Sequence, residues 1–295
     1  MRQLIYKIVY HPLINPILLR VNKLLSPFTR FQLPPSGTIS AKLKTGSFQF
    51  HTNQTNTTSQ YIYWHGPYYI EYTTIFEDLI KRCKNFYDVG AHAGYYSLIA
   101  AAVNPDIKVT AFEPADGPYY YLKENIQLNQ YESRIKAYQI ALGNKEGEAE
   151  FLEVVHSKYS YLKHNLVAVG NLNNYQENRA MKKTKVKITT IDHFALDSST
   201  LPDIIKMDTE GTENLILDGA DQVLKSKPIV ICETLFNIIE PQLEKIMNRY
   251  GFEFYNFKDG RLHKVDTIIR KEPNGVHDCF FVHPEKKHLI TPYLA

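Results

Sequence analysis

A chain of 295 residues with 44% hydrophobic content can bury a sizeable core in one large domain or two small ones, which excludes a disordered or fibrous polymer. The net charge of +3 is unevenly spread: residues 1–70 carry seven basic side chains (Arg2, Lys7, Arg20, Lys23, Arg30, Lys42, Lys44) and no acidic one, leaving the remainder at −4. No run approaches the roughly 20 apolar residues of a membrane span, and neither a secretory leader nor a cysteine framework is visible around Cys83, Cys232 and Cys279, so a cytoplasmic location is expected.

The arm "LIYKIVYHPLINPILLRVNKLL" is cut by Pro12 and Pro16 into short helical pieces. Packing on its own domain is its preferred reading, over a weak peripheral contact with an anionic membrane, because interrupted helices make poor anchors. "SGTISAKLKTGSFQFHTN" alternates as a hairpin. "NQTNTTSQ" reads as a polar loop whose Asn53 and Asn56 are ordinary loop residues despite matching glycosylation sequons. The aromatic cluster around Trp64 is expected to seat the arm, ahead of a helix through Ile75, Leu79 and Ile80. Residues 1–75 thus read as an accessory segment and 76–295 as the main domain.

From residue 85 apolar runs alternate with helical segments: "NFYDVG", "YYSLIAAAV", "IKVTAFE", "DGPYYYLKENIQLN" and "IKAYQIAL". An added hairpin strand "GEAEFLEVV", a long polar loop over 164–185 and the strand "VKITTI" interrupt the pattern. It resumes with "PDIIKMD", "GTENLILDGADQVLK", "PIVICE", "NIIEPQLEKIMNRY", "FEFYNF" and "DCFFVH". The alternation predicts an α/β fold around a parallel sheet, with the last two strands antiparallel because no helix separates them.

Gly90 and Gly94 stand where the first of these strands turns into a helix, at the end of the sheet where ligands bind. Glu113, at the end of the next strand, is placed to accept hydrogen bonds from two ribose hydroxyls. Together they imply an adenosine-bearing cofactor. His92 stands where a dinucleotide loop would have its second glycine, which weakens the reading as a nicotinamide-dependent oxidoreductase or sugar epimerase. Acidic residues at three strand ends weigh against a non-catalytic binding module.

Asp88, Gly90 and Gly94 resemble the first motif of class I methyltransferases. "FYDVGAHAGYYSL", "AFEP", "YLKENIQLN", "IALGNKEGEAEF", "DIIKMDTEGTENLILDGA" and "IVICE" resemble the FkbM-type branch in particular, over about residues 85 to 257. The resemblance implies a Rossmann-like, seven-stranded, mostly parallel sheet with an antiparallel last strand. It also implies S-adenosyl-L-methionine as cofactor and methylation of a hydroxyl on a sugar, glycan or secondary metabolite.

Asp88, Gly90, Ala91, His92, Gly94, Glu113 and Pro114 are the expected cofactor contacts, with Ala141 and Leu142 beside the adenine and Asp208 also within reach. Lys206, Asp208 and Glu210 are the residues expected on the acceptor side, and His92 has a second reading as a base. Lys206 sits in an apolar strand and needs a partner, Asp208 or Glu233. Glu213 reads as a helix cap. Asp208, Glu210 and Glu233 could converge, either around a divalent cation or to tune one member as a base. His277 and Asp278 are expected at the cofactor rim, and a substrate loop carrying Arg261, His263 and Lys264 above it. With no basic face outside the arm, the expected acceptor is a small molecule or glycan and not a nucleic acid.

Overall fold

Apolar runs too short for helices become strands, and in the computed structural model they stack into one central sheet; residues 2–155, 157–167, 180–198 and 200–295 are described. In chain order, α1 (Arg2–Val9) and α2 (Asn15–Leu25) precede a hairpin of β1 (Gly37–Lys42) and β2 (Ser47–Thr52), then α3 (Thr57–His65) and α4 (Thr73–Ile80). The alternation follows as β3 (Asn85–Val89), α5 (Tyr95–Val103), β4 (Lys108–Phe112), α6 (Asp116–Leu128) and β5 (Ile135–Tyr138). Strands β6 (Ala141–Gly143), β7 (Gly147–Val155) and β8 (Ala180–Thr190) form a separate small sheet. The main sheet then continues through α7 (Ile191–Asp197), β9 (Ile204–Met207), α8 (Glu213–Asp218), α9 (Asp221–Lys225), β10 (Ile229–Glu233), α10 (Glu240–Arg249), β11 (Glu253–Lys258), β12 (Arg261–Val265) and β13 (Asp278–Val282).

The main sheet runs β12-β11-β13-β10-β9-β3-β4-β5, with β10, β9, β3, β4 and β5 parallel and β13 antiparallel to both β10 and β11. The expected Rossmann-like α/β fold is therefore present, with β12 as an eighth strand at the outer edge. The sheet grows one way from β3 and the other way from β9, so a crevice opens beyond the carboxyl ends of these two neighbours. Alternate side chains serve two cores. Phe86 and Ile204 face α4 and α5, while Tyr87, Ile205 and Met207 face α8 and α10. Each fully buried Ile or Met here contributes about 1.5–3 kcal/mol of transfer free energy.

Several expectations need correction. "IKAYQIAL" is not one strand: β5 ends at Tyr138, and Ala141–Gly143 leaves the main sheet to pair with Ile188–Thr190 of β8. Arg261, His263 and Lys264 belong to β12, paired with β11, because the turn at Asp259 and Gly260 folds the chain straight back. The segment after it is held down by Arg270, whose side chain is 8% exposed, ion-pairs with Glu240 and donates to Thr234 O at 2.6 Å. No loop of these residues overhangs the crevice. "NQTNTTSQ" is no exposed loop either: Asn53 and Asn56 are each 2% exposed, and Asn56 caps α3 by accepting from Ser59 N. Of the expected long polar loop, 168–179 lies outside the described residues, and 180–185 is part of β8.

The hairpin inserts Phe48 and Phe50 into the same core as α4 and α5. The arm is attached to the domain with little burial. Helix α1 buries no residue, and α2 buries only Asn15 and Leu19. Its attachments are largely polar and aromatic: Asn15 bridges Val9 O, Pro34 O and Ser36 N, Trp64 donates to Leu33 O, and Tyr6 and Tyr10 lie edge-on to Tyr159.

Candidate active site

Beyond Val89 the chain turns through Gly90 (φ +71), His92 (φ +52) and Gly94 (φ +90) before α5 begins. A Cβ on Gly90 would lie 1.9 Å from the carbonyl oxygen of Asp208, and one on Gly94 would lie 2.7 Å from Leu122 Cδ1. The glycines are therefore demanded by the protein's own neighbours, the end of β9 and the flank of α6. His92 takes the left-handed conformation that favours glycine. Its backbone N–H donates to Glu113 Oε2 at 2.8 Å, and its Nε2 lies 3.2 Å from Leu166 O. A carbonyl only accepts, so Nε2 carries the proton and Nδ1 is the bare nitrogen. Burial pushes the imidazole pKa down to about 4, which keeps the ring neutral.

A cavity of about 770 Å³ opens over this turn. Gly90, Ala91, His92, Glu113, Pro114, Ala141, Leu142, Lys206, Asp208 and Glu210 all line it. Asp88 and Gly94 do not. Asp88 is buried behind the wall, where its Oδ2 accepts from Ser97 N (3.0 Å) and Ser97 Oγ (2.6 Å), tying β3 to the first turn of α5. Burial raises its pKa. Its contribution to the cavity is the position of the turn.

Glu113 faces the cavity with both oxygens engaged: Oε2 by His92 N and Oε1 by Ala115 N at 2.9 Å. Each carboxylate oxygen keeps a second lone pair for an incoming hydroxyl. Burial, opposed by those two amides, leaves its pKa at about 7.

Lys206 is 4% exposed. Its Nζ reaches Asp208 Oδ2 at 3.3 Å and Gly90 O at 3.4 Å and sits 5.5 Å from the centre of the Tyr96 ring. Burial acts against its charge, but Asp208, Asp88 and Glu71 outweigh it and hold the ammonium above its ordinary pKa. The partner it requires is thus Asp208, and the pair clamps the ends of β3 and β9 together.

Glu210 is a left-handed non-glycine residue (φ +59) on the cavity wall. Burial, then Asp208 and Glu213, push its pKa up to about 7. Among the described residues its carboxyl takes neither a hydrogen bond nor an ion pair. Glu213 has the opposite fate: buried, it accepts from Thr209 N, Thr209 Oγ1 and Gly211 N, all upstream of α8, so it closes the turn ahead of the helix where a helix cap was expected.

Glu233 and Asp278 sit opposite each other in the register of β10 and β13, outside the cavity wall. Burial and neighbouring carboxylates raise the pKa of both. Asp208 and Glu210 are close enough to Glu233 to be among those neighbours, but no three His, Cys, Asp or Glu side chains among the described residues group as a metal site. His277 holds Thr234 through its carbonyl and does not line the cavity.

Glu71 and Asn56 are among the cavity residues that the sequence reading missed. Glu71 accepts from the Tyr96 hydroxyl at 3.2 Å, and burial and Asp208 raise its pKa. Its signal was available: it is the first acidic residue of the chain, set among aromatics. Asn56, also in the cavity wall, has a buried Nδ2 without a partner among the described residues while its Oδ1 caps α3, whose first residues Thr57 and Thr58 share that wall. The sequence reading took Asn56 for an ordinary loop residue, although an asparagine just ahead of a helix is a cap signal.

The residues present fit S-adenosylmethionine. Phe112, Ile140, Ala141 and Leu142 offer an apolar slot for adenine, Glu113 has free lone pairs for ribose hydroxyls, and the orphaned Asn56 Nδ2 is a donor for a carboxylate.

The family model described as "Methyltransferase FkbM domain" matches residues 88–254. Methyltransferase sdnD of Sordaria araneosa is 26% identical over 195 residues, covering 56% of this chain and 72% of that protein. The crystal structure of Methyltransferase FkbM from Methylobacillus flagellatus KT is similar at TM-score 0.44 and 15% identity, covering 77% of this chain, and the chain spans about half (54%) of its length. M. jannaschii TYW2 in complex with AdoMet matches at TM-score 0.41 and 14% identity over 84% of this chain and 88% of that one.

Proposed function

The chain belongs to the methyltransferase FkbM family, and on that premise we propose that it is an S-adenosylmethionine-dependent O-methyltransferase whose acceptor is a hydroxyl of a sugar, glycan or secondary metabolite. When bound, the cofactor supplies an electrophilic methyl group on a sulfonium. An alcohol oxygen is a poor nucleophile until its proton is taken, so the protein must provide a base and hold the acceptor in line.

The observation that carries this reading is Glu210: a strained, cavity-facing carboxyl without a partner among the described residues, with a pKa raised to about 7. A base is most effective when its pKa lies near the working pH. Glu210 takes the hydroxyl proton at a carboxylate oxygen, while Lys206 and Asp208 keep the ends of β3 and β9 in register below it. Neutral His92 fixes Leu166 against the cavity and leaves Nδ1 as an acceptor for a second acceptor hydroxyl.

The test is transfer of labelled methyl from S-adenosylmethionine into a sugar or lipid-linked sugar extract. At saturating S-adenosylmethionine kcat should rise with pH through about 7, and Glu210→Gln should lower it by about a hundredfold or more and remove that rise. Label recovered on nitrogen or carbon, or a Glu210→Gln variant with the parent's kcat and pH profile, overturns the proposal.

A further inference from the structure

The N-terminal arm puts its apolar residues on the outside. On α2 and the turn after it, Ile14, Ile17, Val21, Leu24 and Phe28 recur every three or four residues, which places them on one side of the helix. All are exposed: Leu24 is 77% and Phe28 85% accessible. The opposite side of α2 holds the buried Asn15 and Leu19. Helix α1 adds Leu4, Ile5 and Ile8, each at least half exposed. A soluble protein seldom leaves so large an apolar area uncovered without a partner for it.

The charge around this face identifies the partner. Arg2, Lys7, Arg20, Lys23 and Arg30 are all exposed, and no acidic side chain occurs before Glu71. We propose that α1, α2 and residues 26–31 dock the protein on an anionic lipid bilayer, the apolar residues entering the acyl boundary and the basic residues meeting the headgroups. A second copy of the chain is a poorer occupant, because a self-complementary contact would bring like charges together without one carboxylate to offset them. The helices lie on the surface: α2, with 11 residues, is about 16 Å long, and among the described residues no helix is long and apolar enough to cross a membrane.

Docking also concerns the cavity. Gln3 donates to Lys158 O, Tyr6 and Tyr10 pack on Tyr159, and the same segment continues to Leu166 in the cavity wall. A bilayer under the arm therefore lies beside the wall that His92 holds.

The experiment is co-sedimentation of the full chain with phosphatidylcholine vesicles with and without phosphatidylglycerol. Binding is expected only with the anionic lipid and should weaken as salt rises. Arg20→Gln with Lys23→Gln should weaken it about fivefold per charge removed. Leu24→Glu with Phe28→Glu should abolish it while leaving the circular dichroism spectrum and S-adenosylmethionine affinity unchanged. A protein that stays in the supernatant with anionic vesicles overturns the proposal, as do arm variants that sediment like the parent. A dimer that Leu24→Glu dissociates, in a protein that ignores vesicles, assigns the face to a second copy and overturns it too.

Discussion

Replacing Glu113 by Gln probes the cofactor reading at its centre. The carboxylate accepts from His92 N at 2.8 Å and Ala115 N at 2.9 Å and has lone pairs left for two ribose hydroxyls. An amide of the same shape turns an NH2 group toward one of those backbone donors and can accept on one side only. Losing one or two hydrogen bonds to a charged group, at about 1.5–3 kcal/mol each, weakens binding by at least about tenfold. The parent should also show a pH signature. With a pKa of about 7, Glu113 is mostly ionised at pH 8 and only about one-tenth ionised at pH 6, so affinity falls about tenfold across that interval. Titration calorimetry with S-adenosylhomocysteine from pH 6 to pH 8.5 measures both effects. Glu113→Gln should lower the affinity and flatten its pH dependence, whereas Glu210→Gln, on the acceptor side, should leave both as in the parent. A parent affinity flat over this range, or an unaltered Glu113→Gln, refutes the assignment of Glu113 to the ribose.

Gly90→Ala forces a Cβ to within 1.9 Å of Asp208 O at φ +71, so it should cost at least about 2 kcal/mol and lower Tm by several degrees. Gly94→Ala meets only the tip of Leu122 and should cost less; equal melting of Gly90→Ala and the parent would refute the close approach of β3 to β9. Asn56→Asp keeps the oxygen that caps α3 but replaces the buried donor Nδ2 by an acceptor. It should weaken S-adenosylhomocysteine about tenfold or more and spare 5′-methylthioadenosine, which has no carboxylate; parallel losses for both would show that Asn56 does not meet that group.

Local chemistry alone was enough to locate much of this protein. The change from irregular segments to alternating strand and helix at residue 85, the presence of a turn after Asp88 and the place of Glu113 at a strand end follow from local pattern, so they could be read from the chain. Tertiary structure decided the rest, because it depends on groups far apart in sequence. Gly90 is glycine because Asp208 approaches it, Asp88 serves α5 and not the cavity, and β12 pairs at the edge where a loop was expected. Asn56 and Glu71 join Glu210 only because the N-terminal segment folds over the ends of β3 and β9. The arm's apolar residues could have turned inward or outward with the same periodicity. Outward exposure followed from where Asn15 and Leu19 found their partners, a fact of packing that no local pattern contains.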